Sequence, residues 1–314
     1  MFTPKTDIAI LGAGAIGQSF AYQLRSNDST PLLINRGNTQ QNHQQTLTFK
    51  QGQSSTPYLC PLASVSQITA QQVSLAHVKL LIVTVKAYQV VDALRPLIAM
   101  LPPQCHILLM HNGLGPHEVV ESQLQGRGLS LGTTSQGALL HNQWQVEKTG
   151  DGKTQIGHYV GPLMPNAIKS RLLSIANSQW CEPILPFLWQ KLAVNVAINP
   201  LSAINLCCNG ELIDEKYRST INKLTEEVIT VAAADGIELE LTHLLERIYA
   251  VIDLTANNRS SMLQDISFER ITEIDAINGY VAAKAKHYGL NANENDTMVA
   301  RIRSLQNGYK QASK

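Results

Sequence analysis

A doubly wound α/β domain followed by an all-α domain is the fold class this 314-residue sequence predicts. Three observations predict it. Short apolar runs alternate with helical patterns through the first half, and a glycine-rich turn joins the first run to the first helix. Beyond about Pro186 the apolar spacing becomes almost wholly helical, with few turn clusters.

The elements follow in order. Ile8–Leu11, Leu32–Ile34, Leu80–Val85 and Ile107–Met110 read as parallel strands, apolar on both faces because helices cover both sides of such a sheet. Ala15–Leu24 and Val90–Leu101 read as helices, the second interrupted by Pro96. The polar stretch Gln40–Gln53 reads as a surface loop. Ala138–Val146 and Thr154–Gly157 flank Thr149-Gly150-Asp151-Gly152, a hairpin signature. The domains are therefore expected at residues 1–183 and 184–314.

Composition narrows the function classes. Hydrophobic residues at 44% and charged residues at 16% describe a globular chain, and a net charge of +1 gives no basic face for nucleic acid or a membrane surface. No stretch approaches the ~18 apolar residues of a membrane span, and the first residues lack the long apolar run of a signal peptide. Five scattered cysteines without a CxxC pair suggest reduced thiols and a cytoplasmic protein, and nine histidines without HxxxH spacing suggest no metal.

Gly12-Ala13-Gly14-Ala15-Ile16-Gly17 sits where a strand turns into a helix. Gly12 suits the tight turn, Gly14 lets a pyrophosphate approach the backbone, and Gly17 lets helix and strand pack closely. The helix N-terminus then faces the phosphates. This is the pattern of a Rossmann-type dinucleotide-binding domain. At the end of the second strand, where an Asp or Glu would bind the 2′-hydroxyl of NAD, stand Asn35 and Arg36. A guanidinium there favours the 2′-phosphate of NADP(H). Lys86 and His111-Asn112-Gly113 follow two further strands, and are expected to line the nicotinamide half of the crevice.

In the second half, Lys191, Asn195 and Asn199 recur every four residues through an apolar segment, which puts them on one face of a helix. Pro200 is expected to kink or end that helix. Further on, one continuous helix would set Ser261 and Glu273 about 120° apart. A break near Ser267 is expected instead, starting a helix that ends near Gly289 and carries Glu273 beside the apolar stripe Ile274, Ile277 and Val281.

GAGAIG, VTVKAY, HNGLG, LWQKLAVNVAINPLSAI, NGEL and NRSSMLQD…TEIDAING, in that order along nearly the whole chain, resemble the 2-dehydropantoate 2-reductase (ketopantoate reductase) family. The resemblance implies NADPH-dependent reduction of 2-dehydropantoate to pantoate, in pantothenate and coenzyme A biosynthesis, with Lys191 as proton donor. It implies that Asn112, Asn195, Asn199, Asn209 and Ser261 contact substrate. Lys86, Asn112 and, loosely aligned, Gly137 would contact the cofactor, and Glu273 would be the acid near nicotinamide and substrate. His111 departs from the Gln that many members carry before Asn-Gly. A small 2-oxo acid is the expected partner of a monomer or homodimer. Two other readings stand beside this one: a reductase of the same fold acting on another 2-oxo acid, and a non-catalytic NADP(H)-sensing protein.

Overall fold

The computed structural model describes residues 1–26, 28–37 and 43–312, with side chains as far as residue 308. The chain divides into two compact units, Met1–His111 with Pro116–Ile184, and Asn112–Gly115 with Leu185–Lys314.

The first unit contains β1 (Ile8–Leu11), α1 (Ala15–Gln23), β2 (Leu32–Asn35), β3 (Gln44–Gln51), β4 (Ser54–Ser64) and α2 (Val65–Thr69). It continues through β5 (Leu80–Val83), a 3-10 turn (Ala87–Gln89), α3 (Val90–Ile98), β6 (His106–Leu109), α4 (Pro116–Glu121) and β7 (Leu129–Thr134). Last come β8 (Gly137–Asn142), β9 (Gln145–Gly150), β10 (Thr154–Val160), α5 (Asn166–Leu172) and β11 (Ser178–Trp180). The strands form one sheet in the order β11-β10-β7-β6-β5-β1-β2-β4-β3-β9-β8. Its middle six, from β7 to β4, run parallel. The strands read from apolar runs are those at its centre. Ile8, Ile10, Leu33, Leu80, Ile82 and Leu108 are fully buried, as a sheet covered on both faces requires.

The sequence misjudged the outer part of the sheet. Residues 44–51, within the expected loop, form β3, and residues 40–42 lie outside the described residues. Leu47 and Phe49 point inward between polar neighbours, a period-2 pattern that the density of Gln and Thr hides. β4 holds Pro57 and Pro61, which argue against a strand, yet they are tolerated. The Leu62 amide bonds the His43 carbonyl, so alternation turns the odd-numbered residues away from β3, and β2 pairs only residues 62–64. The expected hairpin is also displaced. β8 pairs with β9 across Gln143-Trp144, while Thr149–Gly152 leads on to β10, which pairs with β7. The β8–β9 hairpin packs on α1, tied there by the Gln18 amide donating to the Gln143 carbonyl at 2.8 Å.

The second unit is helical: α6 (Leu185–Asn205), a 3-10 turn (Asn209–Ile213), α7 (Glu215–Ala234), α8 (Leu241–Leu254), α9 (Ser261–Ser267), a 3-10 turn (Ile274–Ala276), α10 (Asn278–His287) and α11 (Asn293–Ala312). α6 is apolar on nearly every side because α7, α8, α9 and α11 all pack against it, with Trp189 fully buried. Of the two outcomes expected at Pro200, a kink or an end, the second does not occur: α6 runs on to Asn205. The proline removes the donor that would reach the Val196 carbonyl, and the Asn278 side-chain amide replaces it at 3.2 Å. The break at Ser267 is present, but the next long helix starts at Asn278, not Ser267. Glu269 sits at φ +53 and ends helical continuity, so Glu273 precedes the helix instead of riding on it. α10 ends ahead of Gly289, whose φ of +68 gives the left-handed stop foreseen there.

Candidate active site

The glycine turn is built for close backbone packing. Gly12 has φ +118, and a Cβ on it would lie 2.8 Å from Thr84 Oγ1. A Cβ on Gly17 would lie 1.9 Å from the Gly12 carbonyl oxygen, so helix and turn touch where only glycine fits. Gly14, the N-cap of α1, is exposed, with open space where its side chain would be and no side-chain cap. The amides that open α1 are thus presented to an incoming anion. The Thr84 hydroxyl holds the turn from β5, donating to the Gly12 carbonyl at 3.0 Å, and the Gln18 amide braces it from α1, donating to the Ala13 carbonyl at 2.8 Å. Neither residue was singled out from sequence, although Thr84 stands within the VTVK run and a buried Gln in the first helical turns is a readable anomaly.

Arg36 is exposed directly after β2, and Asn35 keeps a buried Oδ1 without a hydrogen-bond partner among the described residues. Lys86 caps the 3-10 turn after β5. β1, β2 and β5 are neighbouring parallel strands, so Gly12, Arg36 and Lys86 follow the same edge of the sheet. Gly137 is not gathered there by its contacts. It opens β8 opposite Gly150, a Cβ on it would meet Thr149 Oγ1 at 2.5 Å, and the preceding Gln136 bonds to Gln23, the last residue of α1.

In the second unit three polar side chains converge. Lys191 Nζ donates to Asn112 Oδ1 at 3.3 Å, and Asn112 Nδ2 donates to Glu273 Oε2 at 3.1 Å. Each part reaches this place by a different route. Lys191 rides on α6. Asn112 belongs to the short 112–115 segment, which docks on the 274–276 turn through the Leu114 amide and the Ala276 carbonyl at 2.8 Å. Gly113 permits that docking, since a Cβ there would lie 2.1 Å from the same carbonyl. Glu273, 5% exposed, begins the turn itself. Burial pushes the Lys191 ammonium down from 10.5 to about 8, and the Glu273 carboxylate opposes this without cancelling it. The amine thus holds its proton less tightly than a solvated lysine does.

Asn195 and Asn199 share the Lys191 face of α6, Asn199 being buried at 7% exposure. Asn209 Nδ2 donates to Thr255 Oγ1 at 2.9 Å, and its buried Oδ1 has no partner among the described residues. Ser261 is exposed at the start of α9. The preceding Ser260, missed from sequence, caps α9 by accepting from the Leu263 amide, and its hydroxyl lies 2.7 Å from that of Ser202 on α6. An S-S pair before an apolar run carries that cap signal.

Comparison with known proteins places this arrangement. Residues 8–161 match the family model described as ketopantoate reductase PanE/ApbA, and residues 184–306 match its C-terminal counterpart. The 2-dehydropantoate 2-reductase of Vibrio cholerae serotype O1 is 36% identical over 315 residues, covering 98% of this chain and all of that protein. That of Shigella flexneri is 37% identical over 75% of this chain and 77% of its own length. Among solved structures, a D-mandelate dehydrogenase with NADH and anilino(oxo)acetate superposes with a TM-score of 0.86 at 24% identity, over 96% of this chain and 99% of that one, a likeness of fold. A probable 2-dehydropantoate 2-reductase from Bacillus subtilis gives 0.79 at 25% identity, over 97% and 100%. With both units matched by the family's own models and a relative aligned from end to end, the chain belongs to the ketopantoate reductase family of oxidoreductases.

Proposed function

We propose that this protein is an NADPH-dependent 2-dehydropantoate 2-reductase with Lys191 as its general acid. The observation that carries the reading is the hydrogen-bonded chain from Lys191 through Asn112 to Glu273, whose ammonium titrates at about 8. The Gly12–Gly17 turn fits a dinucleotide, because a side chain would fill the packed glycine positions while Gly14 and the uncapped helix start stay open to a pyrophosphate. Arg36 stands where a 2′-phosphate would meet it, and neither Asn35 nor Gly37 repels that charge. Lys86 and Asn112 complete the cofactor contacts in this reading.

When bound, NADPH supplies the hydride that reduces the ketone carbon. Lys191 stabilises the negative charge that develops on the ketone oxygen and delivers a proton to it. Asn112 fixes the amine by accepting one of its N–H groups, and its other end is committed to Glu273, so the amide cannot turn over without losing both bonds. Glu273 keeps the ammonium protonated at higher pH than burial alone allows. Asn195, Asn199, Asn209 and Ser261 orient the carboxylate and hydroxyl of the substrate. A site of amides and hydroxyls rejects analogues that lack those groups, because its polar atoms are then left unpaired. NADPH oxidation by the purified protein tests the proposal, with 2-dehydropantoate against other 2-oxo acids and NADPH against NADH. A higher kcat/KM for another oxo acid would replace the substrate, and an equal rate with NADH would remove the role of Arg36.

A further inference from the structure

The three groups of the candidate site come from separate stretches of chain, and one short turn registers all of them. Glu273 belongs to the turn through its own backbone, its carbonyl accepting from the Ala276 and Ile277 amides at 3.0 and 3.1 Å. The Asn112 segment is fastened to it by the Leu114 amide on the Ala276 carbonyl. A link to α6, and so to Lys191, is Asn278, the first residue of α10 and two residues past the turn. Asn278 is fully buried, and its Nδ2 donates to the Val196 carbonyl at 3.2 Å and to Asn295 Oδ1 at 3.0 Å. Val196 lies five residues beyond Lys191 on the same helix. Pro200 has no N–H to give that carbonyl, so Asn278 supplies the donor that the helix ladder lacks there. On the other side, Asn295 Nδ2 donates to Glu227 Oε2 at 2.7 Å, and the carboxylate also accepts the Glu294 and Asn295 backbone amides at 2.8 and 3.0 Å. A charged, triply bonded anchor thus fixes the orientation of Asn295, which fixes that of Asn278.

We propose that Asn278 is a positioning residue of the reductase site, using the carbonyl that Pro200 vacates in α6 to hold Lys191 in register with Glu273 and Asn112. Pro200 is then half of the device. A residue with an N–H at position 200 would close the helix ladder and compete with Asn278 for the same carbonyl. This rests on the proposed role of Lys191.

The test compares Asn278→Ala, Pro200→Ala and the double variant with the wild type in the full chain. Each single variant is expected to lower kcat for ketone reduction by about ten-fold or more while the NADPH KM changes less than about two-fold, because a small displacement of reacting groups costs rate before binding. Each should also move the basic limb of the pH profile below that of the wild type, as Glu273 loses its hold on the ammonium. The double variant should resemble either single one, since both break the same bond. If Asn278 merely satisfied a stray carbonyl, Pro200→Ala would be harmless and would restore Asn278→Ala. Either result overturns the proposal, as does a wild-type limb in both single variants. Carbon-13 labelled lysine signals, assigned with Lys191→Arg, read the Lys191 titration directly without substrate. A wild-type protein inactive on 2-oxo acids would sink the functional reading, whereas an unchanged Lys191 titration in Asn278→Ala would sink the positioning role.

Discussion

Replacing Glu273 by Gln should move the pH dependence of the reaction downward, not merely reduce its rate. The variant keeps the side-chain length and an oxygen that can accept from Asn112 Nδ2, now 3.1 Å from Glu273 Oε2, but removes the negative charge. Two hydrogen bonds through a single amide separate that charge from the Lys191 ammonium. At roughly 7 Å and an effective dielectric near 20, unit charges interact by ~2 kcal/mol, and relaxation of the site reduces this toward ~1.4 kcal/mol, about one pH unit. A general acid must be protonated to work, so kcat/KM for reduction falls as pH rises through its pKa in the free enzyme. The wild type should lose activity above about 8. Glu273→Gln should lose it above about 7, since burial is then unopposed. The assay is initial NADPH oxidation at saturating cofactor across this range, reading the position of the limb and not its height. A limb that stays in place or moves upward would refute the coupling of Glu273 to Lys191.

Other consequences follow from the same geometry. Lys191→Ala should lower kcat by orders of magnitude while NADPH binding, followed by fluorescence titration, changes little; an unchanged kcat removes Lys191 from the mechanism. Arg36→Ala should weaken NADPH binding by about ten-fold and NADH binding hardly at all, the loss of a charge-assisted bond to a phosphate. Gly17→Ala should destabilise the protein by about 1–3 kcal/mol in denaturant melts and impair cofactor binding, because its Cβ would press on the Gly12 carbonyl. The Lys191 pKa is lower in the folded chain than unfolded, so the unfolded state binds more protons between about 8 and 10.5. Stability should therefore rise with pH across that window relative to Lys191→Met, by a total of about 3 kcal/mol, with the full cost of the buried ammonium present below it.

The central sheet and the glycine turn were legible because their signals are local. Ile8–Leu11 is apolar on both faces, and Gly12, Gly14 and Gly17 stand at fixed offsets from it. β3 and β4 were not legible, because their stability comes from pairing with each other and with β2. That pairing lets Gln, Thr and two prolines occupy strands that propensity disfavours. The spacing of Lys191, Asn195 and Asn199 was readable for the same reason as the turn, a period along one helix. Asn112 could be noticed as a polar residue after an apolar run and Glu273 as a carboxylate beside an apolar stripe, but their meeting depends on the 274–276 turn and the room left by Gly113. Gly113 and the turn adjoin the two residues in sequence, but nothing local to either says that the two segments dock on each other. Pro200 is instructive. Read locally it kinks or ends a helix; in the fold the helix continues, and an amide 78 residues away supplies the missing donor.

The choice of an amide at position 112 has a physical reason. A bridge between an ammonium and a carboxylate must accept from one and donate to the other, and among side chains of that length only asparagine does both without a charge of its own. Aspartate would accept from Lys191 but set a second negative charge against Glu273 and the ammonium, raising the lysine pKa and retaining the proton the ketone oxygen needs. Leucine would leave two buried charged groups short of partners. The same logic extends to Asn195, Asn199 and Asn209, neutral groups that can orient an anionic substrate without disturbing the titration of the acid. Burial thus lowers the lysine to about 8 against the opposing charge of Glu273, and a neutral amide at position 112 adds no further charge to that balance.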